Sequence, residues 1–161
     1  LTGHLVLSTL HTSDAASAVA RLRDLGVFPF LVSGVLIGVI AQRLVRKICV
    51  HCAVDEFLTQ EQIDALRIKG AEGRQLKVKR GKGCIKCRGT GYRGRTGVFE
   101  VMQITPRVRK LIEEKAPAQD IKREAINDGM LTLREYAIKK MARGETTFEE
   151  ILAVTDEHAL Y

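Results

Sequence analysis

The sequence predicts an α/β chain: the tail of a mostly parallel sheet, then an inserted four-cysteine zinc ribbon, then a small helical C-terminal bundle. Three observations carry this reading. An apolar run of strand length, Leu5–Leu10, is followed by a polar cluster and then by a helically spaced segment, the order that builds mostly parallel sheets. All four cysteines fall into two CxxC pairs, the pattern of a closed tetrahedral zinc site. The last third carries four helix-start signals in succession, and together they predict a short-helix bundle.

Leu5-Val-Leu-Ser-Thr-Leu10 has few polar breaks, as in a strand buried on both faces. His11-Thr-Ser-Asp14 suits a helix N-cap. Ala15 to Leu25 then places Val19, Leu22 and Leu25 at helical spacing, with Gly26 as the stop. Val27 to Ala41 runs fifteen residues without a charge. That is short of the roughly 20 residues that span a bilayer, and Pro29 and Ser33 interrupt it. The expectation is a buried core helix whose Gly34 and Gly38 allow close packing on a sheet. Gln42 to Cys49 reads as a strand that enters the first cysteine pair.

The pairs are Cys49-Val-His-Cys52 and Cys84-Ile-Lys-Cys87. A CxxC turn lets one short loop offer two sulfurs to one ion, and two such turns complete the four-ligand shell. Four protein ligands leave no open position, so Zn²⁺ held by Cys49, Cys52, Cys84 and Cys87 would be structural. The alternatives are two redox dithiols or two disulfides. Thirty-one residues separate Cys52 from Cys84, more than a minimal ribbon needs. Within that gap Thr59-Gln-Glu-Gln62 is a capping box, predicting a short helix with Ile63 and Leu66 that ends near Gly70. Thr96 to Met102 reads as a strand leaving the ribbon. Thr105-Pro106 is an N-cap followed by proline at the first helical position. Pro117 to Asp128 is a second helix stopped by Gly129. Thr132-Leu-Arg-Glu135 and Thr147-Phe-Glu-Glu150 are further capping boxes, separated by Gly144.

The formal charge is +7 and unevenly spread: Arg74 to Arg95 holds nine cations and no acid. Four thiolates around a dication would lower the formal +7 to +5, so the zinc centre offsets only part of the strip. The remainder suits phospholipid head groups, nucleic acid, an acidic protein or plain solvent. Zinc thiolates imply a reducing compartment, hence the cytoplasm. The opening Leu1-Thr-Gly-His-Leu is already strand-like, which reads as a piece of something longer.

Ligands of open parallel sheets sit beyond the carboxyl ends of the strands. His11, with Thr9 and Thr12 beside it, is placed at such an end. His4 lies about 23 Å earlier along an extended strand and is the weaker candidate.

Thr2-Gly-His-Leu-Val-Leu-Ser-Thr-Leu-His-Thr-Ser-Asp-Ala15 resembles the His box of the ATPases of type II secretion and type IV pilus assembly. Ala41 to Cys49 resembles the segment entering that family's tetracysteine domain, and Gly91-Tyr-Arg-Gly-Arg-Thr-Gly-Val-Phe-Glu100 the segment leaving it. Asp128 to Leu133 and Gly144 to Glu150 are also similar to the family's tail. The resemblance implies a homo-hexameric, cytoplasmic motor, peripheral to the inner membrane, that hydrolyses ATP to drive pilin or pseudopilin assembly. Its partners would be an inner-membrane platform, recruiting proteins and anionic phospholipid. Residues 1–48 would be the tail of a RecA-like ATPase core, 49–95 the zinc module and 96–161 a helical subdomain. His4 and His11 would carry over as His-box residues near the nucleotide or subunit interface, while Thr9 and Thr12 are cofactor-binding candidates from their place at the strand end alone. No GxxxxGK[ST] phosphate loop occurs in the sequence, so ATP and Mg²⁺ would be bound only in a longer parent, and these residues alone should be catalytically silent.

Two other classes compete. A zinc-ribbon nucleic-acid module would exploit the basic strip, but Trp is absent and aromatics are only 5%, so stacking platforms are few. The string CxxCxGxG at Cys84 also resembles the zinc repeats of J-domain chaperones, yet it occurs once where they carry four.

Overall fold

The computed structural model describes residues 3–155 except 69 and 72. The elements run α1 (Ala15–Asp24), α2 (Pro29–Val35), β1 (Gly38–Ile48), β2 (Ala53–Phe57), α3 (Gln60–Leu66), β3 (Lys77–Gly81), β4 (Tyr92–Gln103), α4 (Pro106–Glu113), α5 (Ala118–Asn127), α6 (Leu133–Ala142) and α7 (Phe148–Thr155). Among the described residues the chain is mixed α/β, with two two-stranded sheets, β1 with β4 and β2 with β3. Both are antiparallel. β2 and β3 pair from Ala53 opposite Gly81 to Phe57 opposite Lys77. For β1 and β4, the Ile104 amide donates to the Ile37 carbonyl at one end and the Cys49 amide to the Gly91 carbonyl at the other.

The residues form two compact units, Leu1–Gln42 with Phe99–Thr132, and Arg43–Val98 with Leu133–Tyr161. In the first, α1 and α2 pack with α4 and α5. Ala15, Val19 and Val32 are buried with Met102, Val108, Ile112 and Ile121. In the second, α3, α6 and α7 close over the strands, burying Val45, Ile63, Leu66, Val98, Met141 and Ile151.

Three expectations are corrected. Leu5–Leu10 forms no strand, and Leu5, Val6 and Leu7 are 75 to 87% exposed. A strand exists through its hydrogen bonds to a neighbour, and among the described residues there is no parallel sheet for it to join. Val27–Ala41 is not one buried helix. It is helix only to Val35, turns extended at Leu36 and continues as β1, with Phe28, Phe30, Ile37 and Ile40 exposed. The β-branched Val35, Ile37, Val39 and Ile40 favour the pleated conformation over helix. Gly34 has no neighbour within 4 Å of a would-be Cβ, so no close helix packing is made there. Finally, the four C-terminal helices do not form one bundle: α4 and α5 belong to the first unit, α6 and α7 to the second.

Two of the predicted helix starts are made as read. The Thr59 hydroxyl accepts from the Gln62 amide at 3.3 Å and the Gln62 side chain from the Thr59 amide at 3.0 Å. Arg67 in the left-handed region ends α3 before Gly70. Thr105 caps α4 with Pro106 at its first position. Thr147 is put to a different use: its hydroxyl pairs with the Tyr92 hydroxyl at 2.8 Å, and Glu150 reaches Arg46. No helix among the described residues is long and apolar enough to cross a membrane.

Candidate metal centre

The ribbon delivers its sulfurs from four strand ends. β1 stops at Ile48, and Cys49 is held against the Gly91 carbonyl by its amide at 2.9 Å. The chain turns, with the Cys52 amide donating to the Cys49 carbonyl at 3.2 Å, and enters β2 at once. β3 returns opposite β2, and the Lys82 amide donates to the Cys52 carbonyl at 3.0 Å. Cys84 to Cys87 then make a single tight turn, followed by Arg88 with φ 54° and Gly89 with φ 78°. The backbone on either side of the second turn closes on itself: a Cβ on Gly81 would lie 2.0 Å from the Gly91 carbonyl oxygen. Only glycine permits that approach.

The four sulfurs cluster, all within 4.8 Å of one another. Cys49 and Cys84 Sγ are 3.9 Å apart, Cys52 and Cys87 3.9 Å, and Cys84 and Cys87 3.7 Å. Four sulfurs at about 2.3 Å from a common centre form a tetrahedron with edges of about 3.8 Å. The four are free thiols, spaced as a tetrahedral metal site requires, and they could hold one metal ion. Burial pushes the Cys52 thiol up to about 12, the adjacent sulfurs adding to it. At Cys87 burial acts the same way, but amide donors from Cys84 and Gly91, each at 3.2 Å, outweigh it and bring the thiol down to about 6. Backbone donors thus prepare one thiolate, and a central cation would complete the set.

The other candidate residues belong to the first unit. His4, Thr9 and His11 are exposed and Thr12 half-buried, all outside helix and strand. The Thr12 hydroxyl donates to the Asp14 carbonyl at 3.1 Å. His4, with Leu5, Leu7, Val35 and Ile37, lines an open, mainly apolar groove of about 930 Å³, and His11 does not line it. At the start of α1, Asp14 accepts from the Ser17 amide at 2.9 Å and from Lys122 Nζ at 2.7 Å. Burial would raise the Asp14 carboxyl, but the bonds from Lys122 and Ser17 outweigh it and hold it below its usual value.

Sequence reasoning missed Glu100, which is 1% exposed and accepts the Ala15 amide at 2.9 Å. The signal was period-two alternation: Val98, Glu100 and Met102 share the buried face of β4, so the carboxylate sits at a core position. The basic strip is also less free than it reads. β2 sets Asp55 beside Lys77 at 2.8 Å and Lys79 at 3.4 Å, and Glu56 beside Arg80 at 3.4 Å. Lys82, Lys86, Arg88, Arg93 and Arg95 have no carboxylate partner among the described residues.

The family model of the type II/IV secretion system protein matches residues 1–153. The chain is 45% identical over 157 residues to a type IV pilus assembly ATPase of Thermus thermophilus, covering 98% of this chain and 18% of that protein. It is 45% identical to a type II secretion system protein of Pseudomonas aeruginosa, covering 96% of this chain and 29% of that one. It is 42% identical to a type II secretion system ATPase of Vibrio cholerae, covering 98% and 31%. The chain thus spans under a third of the length of these relatives. On a match that spans residues 1–153, from the histidine loop past both cysteine turns into α7, this chain belongs to the type II/IV secretion system protein family.

Proposed function

We propose that these residues are the C-terminal part of a hexameric ATPase that powers type II secretion or type IV pilus assembly. The observation that carries this is 45% identity across 98% of the chain to a type IV pilus assembly ATPase. Residues 1–48 complete a RecA-like core, in which Leu5–Leu10 gains the strand neighbours it lacks here, and 49–95 form a zinc module. Residues 96–161 supply helical contacts to both. The cation at Cys49, Cys52, Cys84 and Cys87 is structural Zn²⁺, favoured by four thiolates in tetrahedral array. It leaves no position for substrate.

His11 and His4 serve the nucleotide site as hydrogen-bond donors, with Thr9 and Thr12 beside them. ATP and Mg²⁺ are cradled by residues of the longer protein, since no phosphate loop lies in this sequence. The protein works in the cytoplasm against the inner membrane, with the unpartnered cations around the second cysteine turn facing the platform, recruiting proteins or anionic lipid.

The test is turnover in the full-length protein. ATP hydrolysis that falls on His11→Ala, with these 161 residues alone inactive, supports the proposal. A full-length protein with no ATP turnover in the presence of Mg²⁺ and its assembly partners overturns it.

A further inference from the structure

The loop from His11 to Asp14 is exposed for half its residues, yet its exit into α1 is fixed at three points. Thr12 bonds back to the Asp14 carbonyl, Asp14 is held by Lys122 of α5, and the Ala15 amide is held by Glu100 of β4. Ala15 is fully buried and Glu100 nearly so. A buried carboxylate is costly unless its oxygens are engaged, and here one engages the first free amide of a helix, where negative charge is favoured. The Ala15 and Ser17 amides are therefore taken by Glu100 and Asp14, so these two donors cannot serve a nucleotide phosphate. What they do is hold the loop.

We propose that Glu100 is a positioning residue: its carboxylate fixes the backbone between His11 and α1, so that the His11 side chain is presented in one geometry to the nucleotide. The proposal rests on the assignment of His11 to the nucleotide site given above. It accounts for an acid on the core face of β4, between Val98 and Met102, which the metal centre and the hydrophobic core do not require. It acts through position, because its carboxylate holds the backbone amide at the start of α1.

The experiment compares Glu100→Gln, Glu100→Ala and Ala15→Pro in the full-length protein. Glutamine keeps an oxygen acceptor for Ala15. Proline at the first helical position deletes the amide while fitting the helix, and Asp14 is already in the extended conformation that precedes proline comfortably. Glu100→Gln should keep kcat within about threefold, while Glu100→Ala and Ala15→Pro should lower it about tenfold with KM for ATP nearly constant. Zinc content should not change. Combining either with His11→Ala should cost little beyond His11→Ala alone, because both act through one group. Unchanged turnover in Glu100→Ala and Ala15→Pro, or full additivity with His11→Ala, overturns the proposal.

Amide hydrogen exchange across residues 11–19 separates this proposal from the assignment beneath it. If His11→Ala leaves turnover intact, that assignment fails. Faster exchange in Glu100→Ala but not in Glu100→Gln still supports the anchor, and equal exchange in all three proteins overturns it. Should Glu100→Ala not fold, Ala15→Pro against the parent carries the same comparison.

Discussion

Glu150 grips Arg46 at three atoms. One carboxylate oxygen accepts the Arg46 backbone amide at 2.6 Å, and the other accepts Nε at 2.8 Å and Nη2 at 2.7 Å. The guanidinium lies over the Tyr92 ring, 4.1 Å from its centre, and the Tyr92 hydroxyl bonds Thr147. This cluster fastens α7 to β1 and β4 beside the cysteine turns. Glu150→Ala should destabilise the chain by about 1–2 kcal/mol, discounted because the Arg46 side chain is half exposed. Thermal unfolding checks it, with a Tm fall of about 3–6 °C. An unchanged Tm would show that the pair contributes nothing net.

Purified without chelator, the protein should carry one zinc per chain, released together with loss of structure. Structural zinc contributes on the order of 10 kcal/mol to a small module. Because α6 and α7 share a core with the ribbon, Cys84→Ser or a strong chelator should loosen those helices along with β2 and β3. Elemental analysis and far-ultraviolet circular dichroism give the answer, and zinc-free protein with an unaltered spectrum contradicts it.

Gly81→Ala should be among the most damaging single changes, because the new methyl meets the Gly91 backbone rather than a movable side chain. A loss of about 3 kcal/mol or more is expected. Gly34→Ala is the counter-case. It lies in α2 with open space around it, so alanine should stabilise by about 0.5–1 kcal/mol. Urea titration of both variants measures the contrast in sign.

Asp14 sets an acid limit. Its folded carboxyl titrates below the value of 3.8 expected for a free aspartate, so its contribution is fully present above that pH. It is lost as pH falls through the lower folded value. Asp14→Asn should lower Tm at neutral pH and flatten the decline of Tm between about pH 5 and pH 2. Parallel curves for parent and variant would refute this.

Reversing Lys82, Lys86 and Arg88 to Glu should weaken binding to anionic liposomes at low salt, and less so at high salt, with zinc content unchanged. Each cation near such a surface contributes about 1 kcal/mol within a Debye length. Lys77 and Lys79 are poor choices because they serve Asp55. Equal cosedimentation of variant and parent at low salt would reduce these cations to a solvated face.

Features decided within a few residues were legible in the sequence. The Thr59–Gln62 box, the Thr105–Pro106 helix start and the two CxxC turns each settle their geometry locally, and the sulfurs meet as their spacing suggests. Features decided by distant partners were not. Leu5–Leu10 has the composition of a strand, but pairing is a property of two segments. Apolarity alone could not divide Val27–Ala41 into helix and strand. The hold of Glu150 on Arg46 joins residues 104 apart, and that of Glu100 on Ala15 residues 85 apart, with no local signature beyond an acid on a buried face. The acids that partner the basic strip come from the preceding strand of the hairpin, outside the window that made it look uncompensated.

The segment between β2 and β3 is clamped at its root twice, by the strand ladder from Ala53–Gly81 to Phe57–Lys77 and by the cysteine turns beyond it. A break or an addition beyond the end of α3 would therefore not open the ribbon. Protease attack at exposed Arg67 or Arg74 should leave two pieces that stay together until metal and fold are removed. Exposed Gly73 to Gln75 can accept a tag or a fluorophore, a handle on the ribbon that leaves the sulfur cluster and the glycine contact undisturbed.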